Sequence, residues 1–194
     1  WPREHAYAIF GTYTSLVYLS TLLGGYFADK KIGYRYAVVI GALLMTLGHG
    51  AMAVETPFFI YLGLTLLVFG SGFFKPNMTS IISEMYKGKD EKKDGAYTIF
   101  YMGVNAGAFL GILLCGYLGE QVGWRWGFGL AGIFMLFGLL QFWFAQNIFG
   151  DIGTKPVKAD TEVVELSADE PKLNPFTQLQ LGLIAIAGIL GISW

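Results

Sequence analysis

The stretch that decides the fold runs from Pro57 to Met85 and reads PFFIYLGLTLLVFGSGFFKPNMTSIISEM. It is longer than the about 20 mostly apolar residues that a helix needs to cross a bilayer. Lys75 lies well inside it, too deep for its side chain to reach an interface easily. A lysine at the centre of a spanning helix costs about 2.5–3.5 kcal/mol on insertion scales. Because such a residue usually faces a water-filled cavity and acts there, Lys75 is the first candidate functional residue.

The composition around this stretch indicates a membrane protein. The chain is 54% hydrophobic and 14% charged, whereas a soluble domain has about 25% charged residues. The net charge of −1 gives no reason to expect a nucleic-acid partner, and the single Cys115 excludes an intrachain disulfide. The chain opens nearly at the start of a span. We therefore expect a piece of a longer polypeptide, with at least one helix before Trp1 and more after Trp194.

Six apolar segments predict membrane helices, so the fold class is all-α. They cover residues 5–28, 36–54, 58–85, 97–119, 127–148 and 176–194. Residues 150–175 are instead acidic, with lysines and prolines and few large apolar side chains, which is typical of a solvated linker. The predicted organisation is a bundle over residues 1–149, a linker over 150–175 and the start of a further helix over 176–194.

The basic residues predict the orientation, since Lys and Arg concentrate in cytoplasmic loops. Arg3 and Arg125 lie on one side of the alternating spans. The loops of the other side, which should be cytoplasmic, carry Lys30, Lys31, Arg35, Lys87, Lys89, Lys92, Lys93, Lys155, Lys158 and Lys172. Lys75 is then the one basic residue deep in a span.

The loop after the first span carries a glycine-and-charge motif, Gly25-x-x-x-Asp29-x-x-x-Gly33-x-Arg35. Its two glycines allow a tight crossing between helices, and Asp29 and Arg35 can pair or switch partners. The pattern resembles the loop between the second and third helices of the major facilitator superfamily, where it helps lock the cytoplasmic side. The alternative is a capped helical hairpin with surface charges.

The fourth span carries two stripes, each recurring every four residues. One consists of Gly103, Gly107 and Gly111, and the other of Tyr97, Tyr101, Asn105 and Phe109. At about 100° per residue, Asn105 lies about 200° round from Gly103. We expect the glycine face to pack on a neighbouring helix. The Tyr/Asn face then points into a wet cavity or bonds within the bundle without meeting a ligand.

Three stretches resemble the proton-dependent oligopeptide transporter family, within the major facilitator superfamily. Residues 97–109, YTIFYMGVNAGAF, fit its fifth-helix signature, residues 72–77, GFFKPN, its fourth helix, and residues 24–29, GGYFAD, its second. Lys31 departs from the second-helix signature, which usually has an apolar residue there. The resemblance covers residues 7–150 and makes the first five segments transmembrane helices two to six, with the first helix and the C-terminal half outside this chain.

The resemblance implies roles for individual residues. Lys75 would bind the peptide carboxylate and take part in proton coupling, while Tyr18, Tyr101 and Asn105 would contact the peptide. Independently, Tyr18 shares a helical face with Thr14, Ser15 and Thr21, a polar stripe in an apolar span. Pro76 lacks an N–H and loosens the helix beside Lys75, which suits either a gating bend or a static kink.

Two departures limit what the resemblance implies about protons. Some family members carry a histidine at the position of Gly11, so a second-helix histidine does not carry the proton here. The family's Glu-x-x-Glu-Arg motif belongs to the first helix, so the carboxylates that would partner Lys75 lie outside this chain. His49, in the second span, is interpreted as a packed or hydrogen-bonded residue.

The function that follows is proton-coupled symport of di- and tripeptides by alternating access. We expect no enzyme activity, no metal site and no cofactor, since the proton gradient supplies the energy. One alternative is a transporter of another anion, such as nitrate or a drug-like carboxylate, and a remote one is an intramembrane enzyme or receptor. We expect a bacterial inner membrane. Residues 176–194 form either the seventh helix or part of an inserted helix pair.

Overall fold

The computed structural model describes residues 3–154 and 156, which form five long helices. All five are long and apolar enough to cross a membrane. They are α1 (Arg3–Phe27), α2 (Tyr34–Met52), α3 (Pro57–Met85), α4 (Asp90–Gln121) and α5 (Trp124–Phe144). The predicted helix over 176–194 and nearly all of the linker from residue 155 onward lie outside the described residues.

Two helix ends differ from the prediction. α1 continues into a short π-helix, Ala28–Ile32, and α5 ends in a 3-10 turn, Ala145–Phe149. α4 begins at Asp90 and not at residue 97. Its first turns are charged, so hydropathy does not detect them, yet acidic residues stabilise the positive end of a helix dipole. The predicted boundary was therefore wrong by about two turns.

α2 is the centre of the bundle, since it packs against both α3 and α5. α1 packs on the other side of α3, and α4 packs on α5 and touches α3 only slightly. Small side chains dominate the buried residues of α2, among them Ala37, Val38 and Ala42. A Cβ on Gly41 would lie 2.8 Å from the carbonyl oxygen of Gly70. The α2–α3 contact is thus made backbone to backbone, as in other packed membrane helices.

The crossing of α1 and α3 is tighter still. A Cβ on Gly24 would lie 2.1 Å from the carbonyl oxygen of Gly72, and a Cβ on Gly72 would lie 2.5 Å from the carbonyl oxygen of Ser20. One turn away, the Ser20 hydroxyl donates to the Val68 carbonyl at 2.8 Å. Neither glycine can be replaced without separating the two helices.

Polar contacts hold α2 to α5 at both ends. Beyond the C-terminus of α2, the Glu55 carboxylate accepts a 2.7 Å hydrogen bond from the backbone N–H of Arg125, in the first turn of α5. Glu55 reaches this position with a φ of 60°, which is uncommon for a residue other than glycine. At the other end, the backbone N–H of Arg35 donates to the Gly153 carbonyl at 3.0 Å.

The glycine stripe of α4 does not pack as expected. A Cβ added at Gly103, Gly107 or Gly111 would meet nothing within 4 Å among the described residues. The expectation that this face contacts a neighbouring helix is therefore not met in this part of the chain.

We predict that alanine at two adjacent glycines has opposite outcomes. Gly24→Ala places a methyl group against the backbone of α3 and should destabilise the full-length protein by at least about 1–3 kcal/mol. Gly25→Ala meets open space and should stay within about 0.5 kcal/mol. Thermal unfolding and the yield of monodisperse protein in detergent measure both. Equal tolerance of the two alanines would contradict the described crossing.

We also predict that the Glu55 carboxylate stabilises the start of α5. Glu55→Ala removes the acceptor for the Arg125 N–H and should lower the Tm of the full-length protein by about 2–4 °C. Glu55→Gln keeps an acceptor oxygen at the same place and serves as the matched control, with a smaller effect. A glutamine variant that loses as much as the alanine variant would show that the hydrogen bond is not responsible.

Candidate functional site

Lys75 lies in the interior of α3 with its side chain exposed. Pro76 follows it, and a proline inside a helix leaves the carbonyl four residues earlier without its N–H partner and pushes that carbonyl aside. Here this carbonyl belongs to Gly72, the group that lies against Gly24 of α1. The local distortion beside Lys75 is thus accommodated by the missing side chain of Gly24.

Side-chain hydrogen bonds surround the Pro76 position. Thr79 and Ser80 both donate their hydroxyls to the Pro76 carbonyl, at 2.7 and 3.0 Å. The Asn77 amide donates to the Phe73 carbonyl at 2.7 Å. These bonds stabilise α3 on both sides of the proline.

Tyr97 ties the Tyr/Asn face of α4 to α3. Its hydroxyl donates to the Thr79 carbonyl at 3.2 Å, and its ring stacks on Tyr101 at 6.4 Å between centroids. α3 and α4 are consecutive spans and run antiparallel. One turn, about 6 Å, therefore leads from Tyr97 to Tyr101 and in the same direction from Thr79 to Lys75. Counted from the Tyr97–Thr79 hydrogen bond, Tyr101 and Lys75 are each one turn away in the same direction.

Asn105 lies one further turn along the same face. Its side-chain amide donates to the Tyr101 carbonyl at 2.8 Å, which fixes the side chain against its own helix. The side chains of Asn105 and Tyr101 are both exposed. Since all of residues 101–110 are exposed, this exposure does not decide between the two alternatives for the stripe, and its role in binding stays a prediction.

Tyr18 lies at a different depth. α1 and α3 run parallel, and the contact of Ser20 with Val68 places Tyr18 level with the region near Leu66. Lys75 is about nine residues, or about 13 Å, further along. The Tyr18 side chain is 73% exposed.

The polar stripe beside Tyr18 is bonded to its own helix. The hydroxyls of Thr14, Ser15 and Thr21 donate to carbonyls of α1, those of Phe10, Gly11 and Tyr18 respectively. A hydroxyl that donates to its own helix can still accept a hydrogen bond from a ligand. A role for this stripe in ligand binding therefore stays a prediction.

At the lysine-rich end, Arg35 is buried and held by the segment that follows α5. Its guanidinium donates to the Gly150 carbonyl and lies 5.5 Å from the centre of the Phe149 ring. Gly33 has a φ of 80°, and a Cβ there would lie 2.8 Å from the Gly153 carbonyl oxygen. Asp29 interacts instead with the Tyr34 hydroxyl.

The loop motif thus works differently from the expectation in two respects. A Cβ on Gly25 would meet nothing within 4 Å in the part of the chain that the structure describes, so the tight helix crossing there belongs to Gly24. Arg35 contacts residues 149–153 and not Asp29, because the turn at Gly33 brings the end of α5 against the start of α2.

Two apolar grooves open beside α1. The larger, about 490 Å³, lies between α1 and α3 and includes Leu16, Leu64 and Phe69. The second, about 380 Å³, includes Tyr13, His49 and Phe128. Tyr18, Lys75, Tyr101 and Asn105 line neither of these two grooves.

Sequence reasoning missed three residues that organise these contacts: Ser20, Asn77 and Glu55. Asn77 entered the sequence interpretation only as the last residue of the GFFKPN stretch that resembles the family's fourth helix. The available signal was a single amide directly after a proline, within a helix that is otherwise mostly apolar. Ser20 and Glu55 gave no signal, because their partners are 48 and 70 residues away in the chain.

The sequence profile of the POT family matches residues 35–167. A peptide transporter of Yersinia enterocolitica, YePEPT, is 42% identical over 144 residues, which are 73% of this chain and 28% of the relative. A di-/tripeptide transporter of Lactococcus lactis subsp. cremoris is 37% identical over 159 residues, which are 80% of this chain and 32% of the relative. The chain thus spans about a third of the length of these relatives, or less.

Solved structures agree with the sequence comparisons. A peptide transporter POT in complex with sulfate has a TM-score of 0.75 and 34% identity, covering 96% of this chain and 35% of the other. A mutant of a peptide transporter POT in complex with alafosfalin matches equally well, covering 36% of that chain. These neighbours confirm the predicted all-α fold of the major facilitator superfamily, and the protein is a multi-pass membrane protein. On the sequence match and the shared fold, the chain belongs to the POT family.

Proposed function

We propose that the full-length protein is a proton-coupled symporter of di- and tripeptides that works by alternating access. The observation that carries the proposal is Lys75, an exposed cation in the interior of an apolar helix. Membership of the POT family and the names of the curated relatives support it. No cofactor is part of the proposal.

The chemistry of Lys75 fits a zwitterionic peptide. Two opposite charges 4 Å apart attract each other by about 1 kcal/mol in water and by about 4 kcal/mol at the effective dielectric near a protein surface. A lysine in a narrow cavity therefore binds the carboxylate end of a peptide. Tyr101, Asn105 and Tyr18 offer hydroxyl and amide groups for the peptide backbone. Backbone recognition leaves the side chains of the substrate unselected.

Proton coupling would use Lys75 together with a carboxylate outside this chain. The ionised carboxylate would pair with Lys75, and its protonation would free Lys75 for the substrate. Gly11 occupies the position at which some family members carry a histidine that could take the proton. The lysine-rich end would face the cytoplasm of a bacterial inner membrane, with the loop around Asp29, Gly33 and Arg35 on that side.

A second candidate, transport of another anion, is favoured by the same lysine, since Lys75 would bind nitrate or a drug-like carboxylate through the same charge. Competition separates the two. Dialanine in excess should abolish uptake of a labelled dipeptide, whereas nitrate at the same concentration should leave it unchanged. Competition by nitrate alone would support the second candidate.

We predict that Lys75→Ala abolishes acid-driven uptake of dialanine by the full-length protein in liposomes. The variant loses the cation that would bind the carboxylate of the peptide and pair with the coupling carboxylate. Lys87→Ala, which removes an exposed lysine beyond the end of α3, is the matched control and should transport like the wild type. Uptake by Lys75→Ala that still follows the proton gradient would exclude Lys75 from coupling.

A further inference from the structure

Asn77 is the most buried polar residue near Lys75. Its side chain has a relative exposure of 0%. The amide nitrogen donates to two carbonyls, that of Phe73 in its own helix at 2.7 Å and that of Gly24 in α1 at 3.4 Å. One side chain thus connects the turn of α3 that carries Lys75 to the closest point of α1.

The other half of the same amide is unsatisfied. The Oδ1 atom of Asn77 is buried and has no hydrogen-bond partner among the described residues. A buried polar atom without a partner costs about 1–3 kcal/mol. A leucine of similar size would avoid this cost, and an aspartate would lack the donor that bonds both carbonyls. The hydrogen bonds that the amide nitrogen donates therefore explain why an asparagine occupies this position.

The position of this amide relates it to Pro76. Pro76 leaves the Gly72 carbonyl without its N–H partner within α3, and this carbonyl lies against Gly24, so the two helices touch on the Gly72 side of the turn. Asn77 bonds the Gly24 carbonyl from the following turn of α3. Contacts on both sides of residues 75 and 76 leave this turn of α3 little freedom to tilt or rotate against α1.

We infer that Asn77 is a positioning residue for Lys75, which holds the lysine-bearing turn of α3 at a fixed depth and direction against α1. The inference rests on the proposed function for its meaning in transport, but the geometry can be tested without any substrate. The lysine itself provides the readout, because the reactivity of its amine depends on where it points.

The first experiment measures the rate at which an amine-reactive reagent modifies Lys75 in the full-length protein, by mass spectrometry. Asn77→Leu and Asn77→Ala should each change this rate by about threefold or more, since residues coupled through one network interact by about 0.5–3 kcal/mol. The alanine variant answers the question if the leucine variant does not fold. Unchanged rates in a folded variant would overturn the inference.

Two controls separate positioning from general destabilisation. Ser80→Ala removes a hydroxyl that Thr79 duplicates on the Pro76 carbonyl, and it should leave the Lys75 rate unchanged. Cys115, half-buried about 21 Å further along α4 than Tyr101, should react with a maleimide at the wild-type rate in both Asn77 variants. Equal changes at Cys115 and Lys75 would show a general loosening and overturn the inference.

Transport supplies the second experiment. Asn77→Ala should lower kcat/KM for dialanine about threefold or more, because both substrate binding and proton coupling depend on the placed lysine. The same substitution in a Lys75→Ala protein should have no further effect on dialanine binding. If the wild type takes up no dialanine, the proposed function fails, while the labelling experiment still decides the role of Asn77.

Discussion

The contact on which the rest of the structure depends is the one between Gly24 and the carbonyl of Gly72. Pro76 removes the N–H partner of this carbonyl within α3, and only a residue without a side chain leaves room for the carbonyl on α1. The proline and the helix contact therefore involve the same carbonyl. Lys75 lies in the turn of α3 between Gly72 and Pro76, so its position in the bundle depends on the same contact.

The helices around this contact are not equally constrained. α2 touches both α3 and α5 and is bonded to the α5 region near both of its ends. α4, in contrast, buries little surface within the described chain and is tied to α3 by the Tyr97 hydroxyl. Elements with few buried contacts open at the lowest free energy. Tyr101 and Asn105 therefore stand on the more weakly held side of the candidate site, and Lys75 on the firmly held side.

The sequence predicted the spans well because each carries a long apolar run, and hydropathy depends only on local composition. It predicted Lys75 for the same reason, as an exception within such a run. The sequence failed to predict features that depend on charged helix ends or on contacts between residues far apart in the chain. The start of α4 is polar, and Glu55 and Ser20 act on residues far along the chain. Adjacent glycines were equally ambiguous, since Gly24 and Gly25 differ only in the direction each faces on the helix.

The three consecutive residues Lys75, Pro76 and Asn77 are each unfavourable for a different reason. A central lysine costs about 2.5–3.5 kcal/mol, a proline inside a helix about 3 kcal/mol, and a buried unsatisfied amide oxygen about 1–3 kcal/mol. An apolar helix of the same length would pack without any of these costs. Neighbouring violations of local preference that the surrounding contacts stabilise are expected at functional sites. The bonds from Thr79, Ser80 and Asn77, together with the gap at Gly24, offset these costs at one turn of α3. That concentration is the physical reason for proposing a site at this turn and not in the apolar grooves beside α1.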